Sequence, residues 1–527
     1  MTDIASTSPV SLLPSARRRW AALVVLVAGV LLLAIDGTVL YLAVPALTRD
    51  LGATSEQVLW IGDVYSLVLA GLLVTMGSLA DRIGRKRLLL TGVVAFGLAS
   101  LVAAFSASAA MLIAARVLLG VAGASIMPST LALIRNIFTD AAERTKAIAI
   151  WSAAFGAGSA IGPLVGGLLL EYFWWGSVFL INVPVMLAML IGGVFLLPES
   201  YNPHPGRFDL PSAALSLLTM TPLIYAIKHT VGSGFDLVAA ACLVVGAMCG
   251  WLFVRRQRRL ETPLLDVELF RIPAFTGAVL ANVIAIFSLT GLLFFFSQYL
   301  QLVRGYSPLV AGLAELPSTI ASIVVVAVVG AAVTWLGRGR AVAVGMLLGG
   351  AGLAVLASAE RQEAYVWLAI GLALLGLGIG LAMTLTADIV VSAAPARKAG
   401  AVSAITETAY ELGVVLGIAL LGSLVTGLYR ALVTVPAWLS AADRAAVQDS
   451  LASALTVLDP ASTAAQAARE AFAQAMQTAS LVAAVLMLAA AVVAWRLIPS
   501  SPGRTARPGD GPTPIREAGT DHDERDR

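Results

Sequence analysis

Gly77-Ser78-Leu79-Ala80-Asp81-Arg82-Ile83-Gly84-Arg85-Lys86 joins two apolar runs, residues 58–80 and 88–107, and crowds cations and an acid into one tight connection. Runs of about twenty mostly apolar residues are long enough to span a bilayer. The decapeptide therefore reads as a short polar loop between two membrane helices. A degenerate copy, Gly330-Ala331-Ala332-Val333-Thr334-Trp335-Leu336-Gly337-Arg338-Gly339-Arg340, stands between the runs at 308–332 and 340–358. The repeat implies two related halves, the plan of many secondary transporters.

Composition agrees with that reading. Of 527 residues 59% are hydrophobic and 12% charged, with a mean hydropathy of +0.90. A soluble domain carries roughly a quarter charged residues, and a single soluble core stops growing near ~300 residues. The expected fold is an all-α polytopic membrane protein. Fourteen spanning segments are expected at about 20–46, 58–80, 88–107, 110–133, 147–170, 176–197, 210–229, 235–254, 274–300, 308–332, 340–358, 363–389, 401–428 and 479–498. They divide into an N-terminal six-helix bundle (20–200), two inserted helices (201–255) and a C-terminal six-helix bundle (256–498). An outside connection, 429–478, is expected to hold short amphipathic helices. Tails at 1–19 and 499–527 are polar, and residues 1–16 and 499–527 read as disordered.

Lys and Arg set the orientation. With the N-terminus inside, 26 of the 34 fall on the inner side and seven, Lys228 among them, on the outer; Arg116 lies within a helix. The expected location is the cell's inner (plasma) membrane, multi-pass, with both termini cytoplasmic. The first apolar run follows Arg17-Arg18-Arg19 and lacks a small-residue cleavage site, so it reads as a helix that stays.

Other classes of function find little support. The only histidines are His204, His229 and His522, and the cysteines Cys242 and Cys249 both lie in one apolar run. Neither a metal cluster nor a disulfide framework is expected. No zinc-protease, nucleophile-elbow or nucleotide-binding motif occurs, which argues against an enzyme or an ATP-driven pump. No cofactor, nucleotide or nucleic acid is expected as partner. A channel is disfavoured by scattered single acids and the lack of a filter-like loop.

The motifs are specific when taken together. Gly77, Asp81, Arg82, Gly84, Arg85 and Lys86 resemble the signature loop of the major facilitator superfamily. Arg116-Val-Leu-Leu-Gly120 resembles its buried-arginine motif. Gly158-Ser-Ala-Ile-Gly162-Pro163-Leu-Val-Gly166-Gly167 is similar to the motif of its antiporter branch. Leu33-Ala-Ile-Asp36-Gly-Thr38-Val-Leu-Tyr-Leu-Ala-Val-Pro45, Trp60-Ile-Gly-Asp63-Val-Tyr65 and Thr406-Glu407-Thr-Ala-Tyr410-Glu411 resemble the fourteen-helix drug:proton antiporters that export quaternary ammonium compounds. The resemblance implies a major facilitator fold and export of lipophilic cationic drugs in exchange for protons. It also implies a gating role for the signature loop, with Thr334 replacing the acid in the second copy. The alternatives are a dedicated exporter of an endogenous antibiotic or metabolite, and an uptake symporter of the same fold.

Five acids stand inside apolar runs: Asp36, Asp63, Glu315, Glu407 and Glu411. Each is unfavourable in lipid unless paired or watered. One alone could be a structural hydrogen-bonding group; five against one intramembrane arginine point to function. Glu407 and Glu411 are one turn apart on a helix, and Glu315 and Ser322 also share a face. The resemblance assigns proton coupling to Asp36, modulated by Arg116, and a cation-binding role to Asp63, Glu407 and Glu411. Glu315 is a candidate replacement for an acid that the family can carry at the Ser322 position. Aromatic faces complement organic cations, and Trp60, Tyr65 and Tyr410 are the leading candidates. In helix 5 Gly158, Gly162, Pro163, Gly166 and Gly167 permit close helix contact and a bend.

Overall fold

In a bilayer a bare peptide group finds no partner, so a chain of this composition must satisfy its backbone within each segment. The structure, a computed structural model, describes residues 15–201, 209–260, 263–362, 364–393 and 399–500. Among them no strand occurs, and fourteen helices are long and apolar enough to cross a membrane. These are α1 (Ala16–Leu51), α2 (Ser55–Ile83), α3 (Arg85–Ala104), α4 (Ala109–Ile137), α5 (Ala141–Tyr172), α6 (Ser177–Leu196), α7 (Leu210–Val231), α8 (Leu237–Gln257), α9 (Pro273–Val303), α10 (Pro308–Val325), α11 (Arg338–Ala359), α12 (Tyr365–Ala393), α13 (Ile405–Leu432) and α14 (Thr463–Leu497). The expected tails lie mostly outside the described residues, and residues 16–19 already belong to α1.

Local chemistry sets the helix starts. Thr54 and Gln57 form a capping box at α2, and the side chains of Ser108, Asp140, Asp236 and Ser462 accept from the first turns of α4, α5, α8 and α14. Such caps satisfy amide groups that no intrahelical partner reaches. α14 starts well before the apolar run at 479, because its first turns are Ala-rich and pack on the connection that precedes them. The tenth span is not continuous. Pro317 cannot donate to the ladder, and the helix breaks at Glu315 between Pro308–Ala314 and Leu316–Leu336.

Helices α1–α6 pack on one another, as do α9–α14, and the halves meet through α2 against α13, α5 against the start of α10, and α1 against α9. The repeated loops do equivalent work in each half. Gly84 (φ 107°) and Gly337 (φ 75°) take backbone angles that side chains disfavour. Arg85 N donates to Ser200 O at 2.8 Å, and Arg340 N donates to Ser500 Oγ at 3.1 Å. Each loop thus holds the end of its half's sixth helix.

The inserted α7 and α8 form a hairpin, with α7 packed on α2 and α13. The connection between α13 and α14 holds two short helices, Ala441–Asp449 and Leu451–Val457. It folds back over the gap between the halves. Asp449 accepts from Ser55 N (2.8 Å) and Ser55 Oγ (2.9 Å) at the start of α2, and pairs with Arg430 at 3.1 Å. The halves are therefore clasped at the end where α1 stops and α2 starts.

Candidate functional site

Two buried ion pairs and a cavity make up the site. Asp36, in mid-α1, is fully buried and pairs with Arg116 of α4 at 3.1 Å. Asn182 of α6 donates to the other Asp36 oxygen at 2.7 Å and to Ser100 at 3.1 Å. Arg116 Nε donates to Ile61 O at 3.2 Å, and the guanidinium sits 4.6 Å from the centre of the Tyr65 ring. A guanidinium presents five donors, and here they are shared among three helices. The Asp36–Arg116 assembly is the one expected from the sequence, with Asn182 and Ser100 as members that no motif announced.

Glu411 approaches this assembly from the opposite half. Its carboxyl is hydrogen-bonded to Ser66 of α2 and lies within electrostatic reach of Arg116. Glu407, one turn earlier, faces a different space. It lines a cavity of about 210 Å³ between the halves together with Trp151 and Phe155 of α5, Asn282 of α9, Thr386 of α12 and Tyr410. Tyr410 meets Phe155 edge-on at 5.4 Å and is hydrogen-bonded to Ser159. The cavity lies toward the end opposite the clasp, since Trp151 and Glu407 come early in α5 and α13. A carboxylate beside aromatic edges and faces is the chemistry that accepts an organic cation.

Asp63 and Trp60 do not face this cavity. They receive Lys228, whose Nζ is 2.7 Å from Asp63 Oδ1 and 3.7 Å from the Trp60 ring centre. Both partners of the pair are buried. The sequence reading had put Lys228 in an outside connection. It stands instead on α7, because the apolar run continues past it through His229, Thr230 and Val231 and because Asp63 compensates its charge. The correction leaves six basic residues on the proposed outer side and gives the membrane interior two cations, Arg116 and Lys228. Of the five intramembrane acids, Glu315, Glu407 and Glu411 are left without a paired cation among the described residues. The imbalance of acids over bases in the spans was the signal for Lys228.

Glu315 is buried at the break in α10, with neither carboxylate oxygen hydrogen-bonded among the described residues. Tyr41 of α1 and Tyr365 of α12 lie within its electrostatic reach. Ser322 belongs to the helical segment beyond the break and spends its hydroxyl on Thr319 O at 2.8 Å.

The two glycine-bearing motifs act at the edges of the site. A Cβ at Gly158 would stand 2.5 Å from Leu31 O, one at Gly166 2.9 Å from Val39 O, and one at Gly167 2.7 Å from Pro308 O. Gly162 lies equally close to Thr38, and Pro163 O abuts Gly312. The stripe lets α5 press on α1 and on the start of α10, which is how the halves touch at the clasped end. In the signature loop Asp81 pairs with Arg85 at 2.8 Å, and Lys86 Nζ donates to Val194 O (2.8 Å) and Leu197 O (2.9 Å). Arg82 is exposed and Gly77 adjoins Pro128 of α4. In the second copy Thr334 bonds within its own helix, and Arg338 pairs instead with Asp388 of α12 at 3.2 Å.

Comparison with known proteins matches this architecture. Residues 26–418 match the family model of the Major Facilitator Superfamily. The chain is 46% identical to the multidrug efflux pump LfrA of Mycolicibacterium smegmatis over 90% of its own length and 95% of the relative's. It is 39% identical to the methyl viologen resistance protein SmvA of Salmonella typhimurium, covering 91% and 98%. A tetracenomycin C resistance and export protein of Streptomyces glaucescens is 35% identical, covering 77% and 76%. Among solved structures, a bacterial homolog of the human lysosomal transporter Spinster, inward-facing and unoccupied, superposes with a TM-score of 0.62 at 16% identity, covering 92% of this chain and 98% of that one. The chain is a multi-pass membrane protein of the Major Facilitator Superfamily, and it belongs with that superfamily's multidrug exporters.

Proposed function

We propose that the protein is a proton-coupled multidrug efflux antiporter of the cell's inner membrane, exporting lipophilic organic cations such as quaternary ammonium compounds and dyes. The observation that carries this reading is the relation of Glu407 and Glu411. One lines the cavity beside Tyr410 and Phe155; the other, a turn away, faces Arg116. Cation binding and the Asp36–Arg116 pair are thus one helical turn apart.

The coupling follows from electrostatics. A proton delivered to Asp36 neutralises the carboxylate and weakens its hold on Arg116. The guanidinium stays charged and turns toward Glu411, which lowers the negative charge available to a bound cation. Loss of the proton returns Arg116 to Asp36. Binding of drug and proton therefore oppose each other, which is the requirement for exchange. Glu315, Glu407 and Glu411 supply the negative charge, and the signature loop governs the change of state.

The test is ethidium transport by proteoliposomes under an imposed pH gradient. Transport that persists unchanged after the gradient is collapsed would remove proton coupling from the reading. A second reading, a dedicated exporter of an endogenous antibiotic, is favoured by the likeness to the tetracenomycin C exporter. Under that reading structurally unrelated cations would not compete with one another for transport.

A further inference from the structure

Beyond the transport path, the inserted hairpin carries a second, differently charged feature. Trp251, Arg255, Arg258 and Arg259 follow one another on α8 and the residues just past it at spacings of four, three and one. That spacing puts all four on one face. The three arginines are exposed, and among the described residues no carboxylate pairs with any of them. Their neighbour behaves differently. Arg256 is tied to Asp209 at 2.8 Å and to Ser212 at 3.1 Å, while Gln257 donates to Ser212 at 2.8 Å. Those bonds fix the end of α8 against the start of α7, so the free guanidinium groups are presented on a rigid support.

The walls of this face are apolar. One groove, of about 330 Å³, runs along Trp251, Val254, Arg255, Arg258 and Arg259. A second, of about 410 Å³, lies between the hairpin's helices, where Leu215, Leu252 and Leu260 meet Arg255, Arg256 and Arg259. α8 is the span least covered by protein. Trp251 is 59% exposed, with its ring 5.1 Å from the Arg255 guanidinium. An exposed indole at the end of a span belongs at the headgroup level of a bilayer. Above it stand uncompensated guanidinium groups, which are forks suited to phosphate oxygens. Below it stand Met248, Val244 and Val245, exposed side chains with nothing but acyl chains to meet.

We propose that this face of the inserted hairpin is a binding site for an anionic glycerophospholipid. The phosphodiester sits on Arg255, Arg258 and Arg259, and the chains lie along the grooves beside Trp251 and Leu252. The charge complementarity selects an anionic over a zwitterionic headgroup, and the apolar grooves select a lipid over a free anion.

The experiment is native mass spectrometry of the full-length purified protein mixed with equal amounts of phosphatidylglycerol and phosphatidylcholine. The comparison is wild type against R255Q/R258Q/R259Q, with inorganic phosphate added in a third arm. Because all three side chains are exposed, the variant is expected to elute as the same single species. The expected result is retention of phosphatidylglycerol in preference to phosphatidylcholine, a preference falling roughly tenfold in the triple variant and resisting inorganic phosphate. Quenching of tryptophan fluorescence by chain-brominated phosphatidylglycerol should fall in the Trp251→Phe variant. Equal retention of the two lipids by wild type, unchanged preference in the triple variant, or displacement of the lipid by phosphate alone would each overturn the proposal.

Discussion

Lys228 donates to Asp63 across the interface between an inserted helix and the first bundle, at 2.7 Å and out of contact with solvent. The inserted hairpin is thus anchored by a full charge pair, with Trp60 covering the ammonium. Removing one member leaves the other uncompensated, at a cost of about 3–5 kcal/mol. Lys228→Met and Asp63→Asn should each lower the yield and thermal stability of the purified protein, and the double variant should recover most of the loss. Additive losses in the double variant would mean that the two residues do not act as a pair.

Asp36 cannot exchange a proton once its carboxyl is an amide. Asp36→Asn is therefore expected to abolish pH-driven transport while the protein stays folded, because the amide retains a hydrogen-bond acceptor for Arg116 and Asn182. Drug-induced proton release in proteoliposomes is the readout. Normal release by the variant would take Asp36 out of the coupling role.

The Asp81–Arg85 pair belongs to one loop at one end of the first bundle, far along α2 from Asp63. Asp81→Asn should slow turnover with little change in drug affinity. Binding and efflux rate measured on the same preparation decide this. A large loss of affinity at unchanged turnover would contradict it.

Charge counting makes a sharper distinction. With Arg116 on Asp36 and Lys228 on Asp63, a divalent drug must draw on Glu315, Glu407 and Glu411. Glu411→Gln and Glu315→Gln should each reduce export of a bisbiguanide or diamidine more than export of ethidium. Asp63→Asn should show its effect in the amount of folded protein, without altering the order of preference among drugs. Resistance profiles at matched expression separate these cases; equal loss for monovalent and divalent drugs in both glutamate variants would leave the counting unsupported.

The glycine stripe of α5 is a packing device with a steric test. At Gly158 even a methyl group would meet Leu31 O. Gly158→Val should push α5 from α1 and cost about 1–3 kcal/mol, read as a lowered unfolding temperature. Unchanged stability and transport would show that the close approach is dispensable.

The spans, the duplicated loop and the Asp36–Arg116 pair were legible because each leaves a local mark, a run of apolar residues or a motif of fixed spacing. What was not legible depends on which face of a helix meets which neighbour. Asp63 and Glu411 look alike along the chain, yet one meets Lys228 and the other Ser66 and Arg116. Lys228 was misplaced because a lysine at the edge of an apolar run is ordinarily read as its end; only a partner two hundred ångström-scale contacts of chain away in sequence, on α2, makes it interior. The break at Glu315 was announced by Pro317, but that the carboxylate would be enclosed there without a hydrogen bond follows only from the packing of α1 and α12 around it.

The clasp over the outer gap has a property that follows from which half each member belongs to. Asp449 and Arg430 are both carried by the second half; only Ser55, a serine with its backbone amide, belongs to the first. When the halves part, the ion pair travels whole, and what is severed are hydrogen bonds to a neutral residue that water replaces at once. No charge is stranded on either shore. A closure of this kind can be undone at every turnover and re-formed without a search, because its anion is already oriented before the serine comes back into range.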